Sequence, residues 1–248
     1  MSKTQQAVRQ RYAKAAEQMS QGGAACCGDG ADCCSPAGGY NIQDLQMIGL
    51  SESVSLGCGN PTLLAALNPG ETVLDLGSGG GLDVLLSARR VGPTGHAYGV
   101  DMTDQMLALA ERNRAQAGLR NATFLKGAIE AVPLPDGAVD VVISNCVINL
   151  AEEKGAVIAE AFRVLKPGGR LAVADVVEME ALAPEVKQAA DAWAGCIAGT
   201  IPVAEYSQLL LAAGFEAPDI EIHSVQEVPA GGKIGSAYIR ARKPGSDG

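Results

Sequence analysis

Seven cysteines stand in a chain with two histidines: Cys26, Cys27, Cys33, Cys34, Cys58, Cys146 and Cys196. Thiolates are soft ligands, so a set of them points to capture of a thiophilic ion or to redox exchange. Four of the seven form two vicinal pairs within Gly22–Gly39, a glycine-rich stretch that reads as a loop with no part in a packed core. Structural zinc motifs place their cysteines as C-x-x-C, which the vicinal pairs do not match. A thiol-rich loop that delivers or exchanges a soft ion fits better. Cys58 lies between glycines in Gly57-Cys58-Gly59-Asn60-Pro61, where the backbone can bring its thiol close to another group. Cys146 and Cys196 stand singly, and a single cysteine is as readily a small buried hydrophobe as a ligand.

A second constellation surrounds Thr72-Val-Leu-Asp-Leu-Gly-Ser-Gly-Gly-Gly-Leu82. Its glycines allow a tight turn and close backbone approach, and the helix expected over 82–90 would present unpaired N–H groups there. A dinucleotide fingerprint requires a glycine where Leu82 stands. Acidic Asp75, just before the turn, would repel a pyrophosphate but suits a ligand carrying an ammonium group. His96-Ala-Tyr-Gly-Val-Asp101 ends in a second acid, which can accept both hydroxyls of a ribose. Strand, glycine turn, helix, strand and acid together describe a nucleoside site.

The elements that must position these groups alternate. Strands are expected at 72–76, 96–101, 122–126, 139–144 and 170–177, with further candidates at 220–228 and 234–242. Helices are expected at 3–21, 62–67, 82–90, 103–118, 154–165, 184–197 and 203–213. Val139–Ser144 is an unbroken apolar run suited to the centre of a parallel sheet. The pattern is α/β and places one ligand site on the carboxyl edge of the sheet. The 248 residues, 47% apolar and 19% charged, suffice for one large domain with an appendage. We divide them as 1–59, a helix and cysteine-rich loop or lid, and 60–248, the main domain. A formal charge of −9 without a Lys/Arg cluster argues against nucleic-acid and anionic-membrane partners. The first residues lack the apolar core of a signal peptide, so the expected location is cytoplasmic. In that reducing setting an odd number of cysteines does not read as a disulfide framework.

The glycine turn with its two acids resembles the class I S-adenosylmethionine-dependent methyltransferases. The resemblance implies a Rossmann-like sheet of seven mostly parallel strands, helices on both faces and an antiparallel last strand, over roughly residues 60–242. A narrower resemblance follows from Ser144-Asn-Cys-Val-Ile-Asn-Leu150, Gly57-Cys-Gly-Asn-Pro61 and Gly195-Cys-Ile197. These, with Asp75-Leu-Gly-Ser-Gly-Gly-Gly81 and Gly99-Val-Asp-Met-Thr103, are similar to the arsenite methyltransferases. The heptapeptide with its cysteine is the specific part.

Membership would make Cys146 and Cys196 arsenic ligands. Cys58 and one of Cys33 and Cys34, taken here as Cys34, would join in binding or in a disulfide relay. The substrate would be arsenite or its thiol conjugates, and thioredoxin or glutathione would regenerate the thiols. The resemblance also assigns S-adenosylmethionine to a site built from Asp75, Gly77, Ser78, Gly79, Asp101, Met102, Ile129, Glu130 and Asn145. Met102 and Ile129 would sandwich the adenine. Many relatives carry an acid or a bulky residue where this chain has Ala128, which leaves adenine recognition to Ile129, backbone groups or Glu130. The end of the fourth strand, 144–150, holds neither an acid nor a histidine, while His96 and His223 read as structural. Methylating a hydroxyl or carbon acid requires a positioned base, whereas trivalent arsenic held by sulfur brings its own lone pair. The rival readings are a methyltransferase for a quinone-like organic acceptor and a non-catalytic metalloid-binding or redox-sensing protein.

Overall fold

The computed structural model describes residues 2–20, 40, 45–46, 48, 59–189, 193 and 196–245. Cys26, Cys27, Cys33, Cys34 and Cys58 fall outside them, so the expectations placed on those thiols do too. Helix α1 (Lys3–Ser20) begins with a reciprocal cap: the Gln5 N–H donates to Ser2 Oγ and the Ser2 N–H to Gln5 Oε1, each at 3.1 Å. A Ser-x-x-Gln start satisfies two N–H groups that the first helical turn leaves free. Helix α2 (Pro61–Leu64) follows. Strand β1 (Thr72–Leu76), helix α3 (Leu82–Val91), strand β2 (His96–Asp101), helix α4 (Asp104–Ala117) and strand β3 (Ala122–Lys126) then alternate. Gly118 ends α4 in the left-handed conformation at φ 65°, its N–H donating to Ala115 O.

Strand β4 (Val139–Asn145) leads through a 3-10 turn at Ile148–Leu150 to helix α5 (Lys154–Val164) and strand β5 (Leu165–Glu180). Helices α6 (Pro184–Gln188) and α7 (Val203–Ala212) precede strands β6 (Glu216–Glu227) and β7 (Lys233–Arg242). The strands form one seven-stranded sheet in the order β3-β2-β1-β4-β5-β7-β6, with β7 antiparallel to both neighbours and β1 to β5 parallel. The expected fold class is therefore the observed one. Strand β5 starts earlier than its sequence suggests. Lys166-Pro-Gly-Gly169 does not separate helix from strand but forms an irregularity within the ladder, where Val139 pairs with Leu165 and Val141 with Arg170. The segment 184–197 is helical at Pro184–Gln188 and at Trp193, with Cys196 in a turn.

Period-two alternation sends the sheet's side chains to two cores. Leu74, Leu76, Val142 and Val173 join Ile158 of α5 and Tyr206 and Leu210 of α7. Val73, Val141, Ile143 and Ala172 join Val91 of α3 and Ala65 on the other face. Each such aliphatic burial contributes roughly 1.5–3 kcal/mol. Chain direction out of β1 reverses between β2 and β4, and such a switch point opens a crevice at the carboxyl ends of the strands. Among the described residues no helix is long and apolar enough to cross a membrane.

Candidate functional site

Three strand ends meet at that crevice: Asp75 from β1, with Gly77 in the turn after it, Asp101 from β2 and Asn145 from β4. A cavity of about 350 Å³ opens beside them. Asp75, Gly77, Ser78, Gly79, Asp101, Met102, Ile129, Glu130 and Asn145 all line it. The glycine turn is pinned under β2, with the Gly77 and Ser78 N–H groups donating to Val100 O at 2.9 and 3.0 Å. Gly77 has φ 71°, and a Cβ there would lie 2.5 Å from Val147 Cγ1, so a side chain is excluded twice over.

The cavity wall is acidic. Asp101 accepts the Gly79 N–H on one oxygen at 3.0 Å and the Thr103 N–H on the other at 2.8 Å, which fixes its plane. The Thr103 hydroxyl and the Met102 N–H also hydrogen-bond this carboxylate. Asp83, in the first turn of α3, accepts the Tyr40 hydroxyl on both oxygens at 2.8 Å and Asn145 Nδ2 at 3.3 Å. Burial pushes the Asp83 carboxyl up to about 6 against those hydrogen bonds and Arg90. Burial, then the charges of Asp83 and Asp101, hold Asp75 well above the usual carboxylate range, and burial also raises Asp101. Three buried carboxylates on one wall repel one another, so a cation entering the cavity relieves all three. The glycine cradle, the acid at the end of β2 and this acidic wall fit S-adenosylmethionine, whose methionine end carries an ammonium and whose sulfur is cationic.

Cys146 stands between Asn145 and Val147, which line the cavity. Cys146 follows β4 at φ 57°, its N–H donating to Ala174 O at 2.8 Å. Cys196 closes a turn at φ 64°, its N–H donating to Trp193 O at 3.1 Å. Four non-glycine residues among those described have positive φ, and these cysteines are two of them. Such backbone costs about 1–3 kcal/mol per residue and persists where the surroundings over-determine it. The Cys196 thiol donates to Cys146 O at 3.4 Å, and both residues pack with Val8, Leu150, Val176, Leu182 and Ile234. The structure thus brings together the pair that the sequence singled out.

Their chemical states differ. Cys146 is disulfide-bonded and Cys196 is a free buried thiol, so neither is a ready thiolate and they are not bonded to each other. Burial, then the charge of Asp175, push the Cys196 thiol up to about 12, against hydrogen bonds from Tyr12 and Asn149 and the charge of Arg11. Asp175 is fully buried and accepts the Asn149 N–H at 3.0 Å and the Val176 N–H at 2.9 Å. Asn149 Nδ2 donates to Cys196 O at 3.2 Å, so one carboxylate holds the turn after Cys146 and, through Asn149, the turn of Cys196. Burial raises Asp175 to about 7, with Lys154 opposing.

Sequence reasoning missed Asp83, Tyr12 and Asp175. Asp175 had a signal, a lone acid inside the apolar run Leu171–Val177. Asp83 sits where an acid reads simply as favourable to a helix N-terminus. His96 bonds Thr123 Oγ1 at 2.9 Å and His223 stacks on Tyr238 at 4.4 Å, so both are structural.

A methyltransferase-domain family model matches residues 67–214. The arsenite methyltransferase of Halobacterium salinarum is 42% identical, over 98% of this chain and 68% of its own length. That of Aquipseudomonas alcaligenes is 40% identical over 65% of this chain and 48% of its own. Among solved structures, an arsenic(III) S-adenosylmethionine methyltransferase from Chlamydomonas reinhardtii superposes with a TM-score of 0.68 at 31% identity, over 84% of this chain and 72% of that one. The chain thus spans from about half to two thirds of the length of these curated relatives.

Proposed function

Because this chain belongs to the arsenite methyltransferase family of S-adenosylmethionine-dependent methyltransferases, we propose that it methylates arsenic(III) held by Cys146 and Cys196, in arsenic detoxification. The observation that carries this reading is the pair of left-handed cysteines, one sulfur against the other's carbonyl, at the end of β4 beside the acidic cavity. When bound, the cofactor supplies an electrophilic methyl on a cationic sulfur.

The chain's own groups have distinct tasks. Asp101 holds the ribose hydroxyls. Asp75 and Asp83 face the ammonium, with Asn145 and Tyr40 fixing Asp83. Gly77, Ser78 and Gly79 bring backbone against the methionine end, while Met102 and Ile129 flank the adenine and Glu130 lies at its rim. An external thiol reductant, thioredoxin or glutathione, supplies the two electrons that open the Cys146 disulfide, returning both sulfurs as thiols. Each thiol then exchanges with an As–OH bond: S–As forms, and the thiol proton leaves with the hydroxyl as water. Cys58 and Cys34 provide further sulfur or relay the disulfide onward. Arsenic keeps its lone pair in this state, so no side chain needs to remove a proton from the acceptor. Holding acceptor and methyl donor in line is the main catalytic contribution.

The test is mass spectrometry of arsenic species after incubation of the protein with arsenite, methyl-labelled cofactor and a thiol reductant. Labelled methylarsenic is the expected product. Bound arsenite with no labelled product would leave a metalloid-binding protein, and methylation of an organic acceptor by Cys146→Ser would favour the organic-acceptor reading.

A further inference from the structure

Asn149 stands where the two cysteine-bearing segments meet. The Cys146 N–H donates to Ala174 O at 2.8 Å, and the Asn149 N–H donates to Oδ2 of the next residue, Asp175, at 3.0 Å. Strand β5 therefore holds both ends of the stretch from 146 to 149. From there the Asn149 side chain reaches across, its Nδ2 donating to Cys196 O at 3.2 Å. The Asn149 carbonyl meets the same segment three residues on, where a Cβ on Gly199 would overlap Asn149 O. Only glycine allows so close an approach. One residue thus holds the segment of Cys196 by a polar contact at 196 and a steric one at 199, and the Cys196 sulfur lies 3.4 Å from Cys146 O. Asn149 is 1% exposed, and its Oδ1 has no donor among the described residues. A buried acceptor left unmatched is a cost to the fold, so packing alone would favour an apolar side chain of similar size. What the amide supplies is the donor to Cys196.

We propose that Asn149 is a positioning residue that sets the spacing of the Cys146 and Cys196 sulfurs, and so decides how tightly the pair chelates a trivalent thiophilic atom. Chelation depends on effective concentration: a second sulfur already in place closes onto an atom held by the first at far less cost than one that must be brought up. Without the Nδ2 donor the Cys196 carbonyl is no longer tied to the turn after β4. Left-handed backbone, such as that of Cys196, persists only where its surroundings over-determine it. Each sulfur alone keeps its own chemistry, so the effect falls on the pair. That these two sulfurs act as ligands rests on the function proposed above; that Asn149 spaces them rests on the contacts just described.

The experiment uses the full chain with serine at Cys26, Cys27, Cys33, Cys34 and Cys58, reduced and kept free of oxygen, so that Cys146 and Cys196 are its only thiols. The probe is phenylarsine oxide, and its capture is measured by calorimetry. The arsenic stays trivalent: two S–As bonds form, and the oxygen leaves as water with the two thiol protons. In this protein Asn149→Leu is expected to weaken capture about 100-fold. Gly199→Ala, which displaces the same segment by its bulk, is expected to weaken it too. With Cys146→Ser added, only one S–As bond can form, and Asn149→Leu is then expected to change the affinity by less than about twofold. Affinity for S-adenosylhomocysteine is expected to stay within about twofold throughout. Capture that ignores Asn149→Leu, an equal loss with one sulfur and with two, or a loss shared by S-adenosylhomocysteine would each overturn the proposal. No chelation in the parent five-serine protein would overturn both this proposal and the ligand set of the proposed function, whereas chelation that ignores Asn149 overturns this proposal alone.

Discussion

Asp101 accepts the Gly79 N–H on one oxygen and the Thr103 N–H on the other, at the cavity where the proposed ribose site lies. Asp101→Ala therefore removes two ligand contacts and loosens the turn that cradles the ligand. At about 1.5–3 kcal/mol for each charged hydrogen bond, the expected loss of cofactor affinity is roughly 2–4 kcal/mol by calorimetry. Unchanged affinity would remove Asp101 from the ribose site. Asp175 is a different carboxylate, bonded to backbone and fully buried. Its folded value of about 7 lies above the unfolded one, so the folded state holds the extra proton. Stability from this group is present below the unfolded value and is lost as pH rises through about 7. The melting temperature of the ligand-free protein should accordingly rise on acidification from about pH 7.5 to about pH 5.5, and the rise should be smaller in Asp175→Asn. Equal slopes in the two proteins would show that Asp175 is not the titrating group.

At the scale of elements, the turn from Trp193 to Cys196 joins an optical reporter to a thiol. The Cys196 N–H bonds Trp193 O, and the indole N–H bonds Lys187 O at 3.0 Å. Trp193 is the single tryptophan of the chain. Capture of arsenic by Cys196 brings a heavy atom beside this turn and reorders it, so indole emission should change on titration of the reduced protein with arsenite before cofactor is added. The change should vanish in Cys196→Ser and Cys146→Ser and survive in Cys26→Ser. An unaltered emission, or the same response in Cys196→Ser, counts against Cys196 as a ligand.

At the scale of the molecule, three carboxylates converge from β1, β2 and α3 on one cavity, in a chain whose formal charge is already −9. Without a cation, Asp83 gives up its proton only near about 6. A cationic ligand favours the charged carboxylates, so its affinity grows as pH rises through that value. The thermal shift on adding S-adenosylmethionine should be larger at about pH 7.5 than at about pH 5.5. Equal shifts would mean that these acids do not face the bound cation. The cysteine-rich stretch belongs to this scale too, because the delivery role proposed for it would link distant parts of the chain. Serine at Cys26, Cys27, Cys33 and Cys34 together should slow turnover of arsenite while sparing a pre-methylated arsenical, which needs fewer sulfurs. Wild-type kinetics at low arsenite in that variant would remove the delivery role.

Local chemistry was enough to mark the strands, the glycine turn, the acid at the end of β2 and the two separated cysteines. Each of these is marked by residue type within a few positions: an apolar run, a glycine that must take positive φ, or an acid at a strand end. The sheet order and the antiparallel last strand rested on resemblance, because pairing between strands leaves no local mark. Contact between Cys146 and Cys196, 50 positions apart, had no local mark either. It exists because the 3-10 turn after β4 and the turn after α6 are both tied to Asn149, which hangs on Asp175. Tertiary structure alone made Asp83 a cavity wall and Tyr12 a neighbour of Cys196. It also decided the protonation of the acids and of the Cys196 thiol, since desolvation depends on what packs around a group and no residue carries that information by itself.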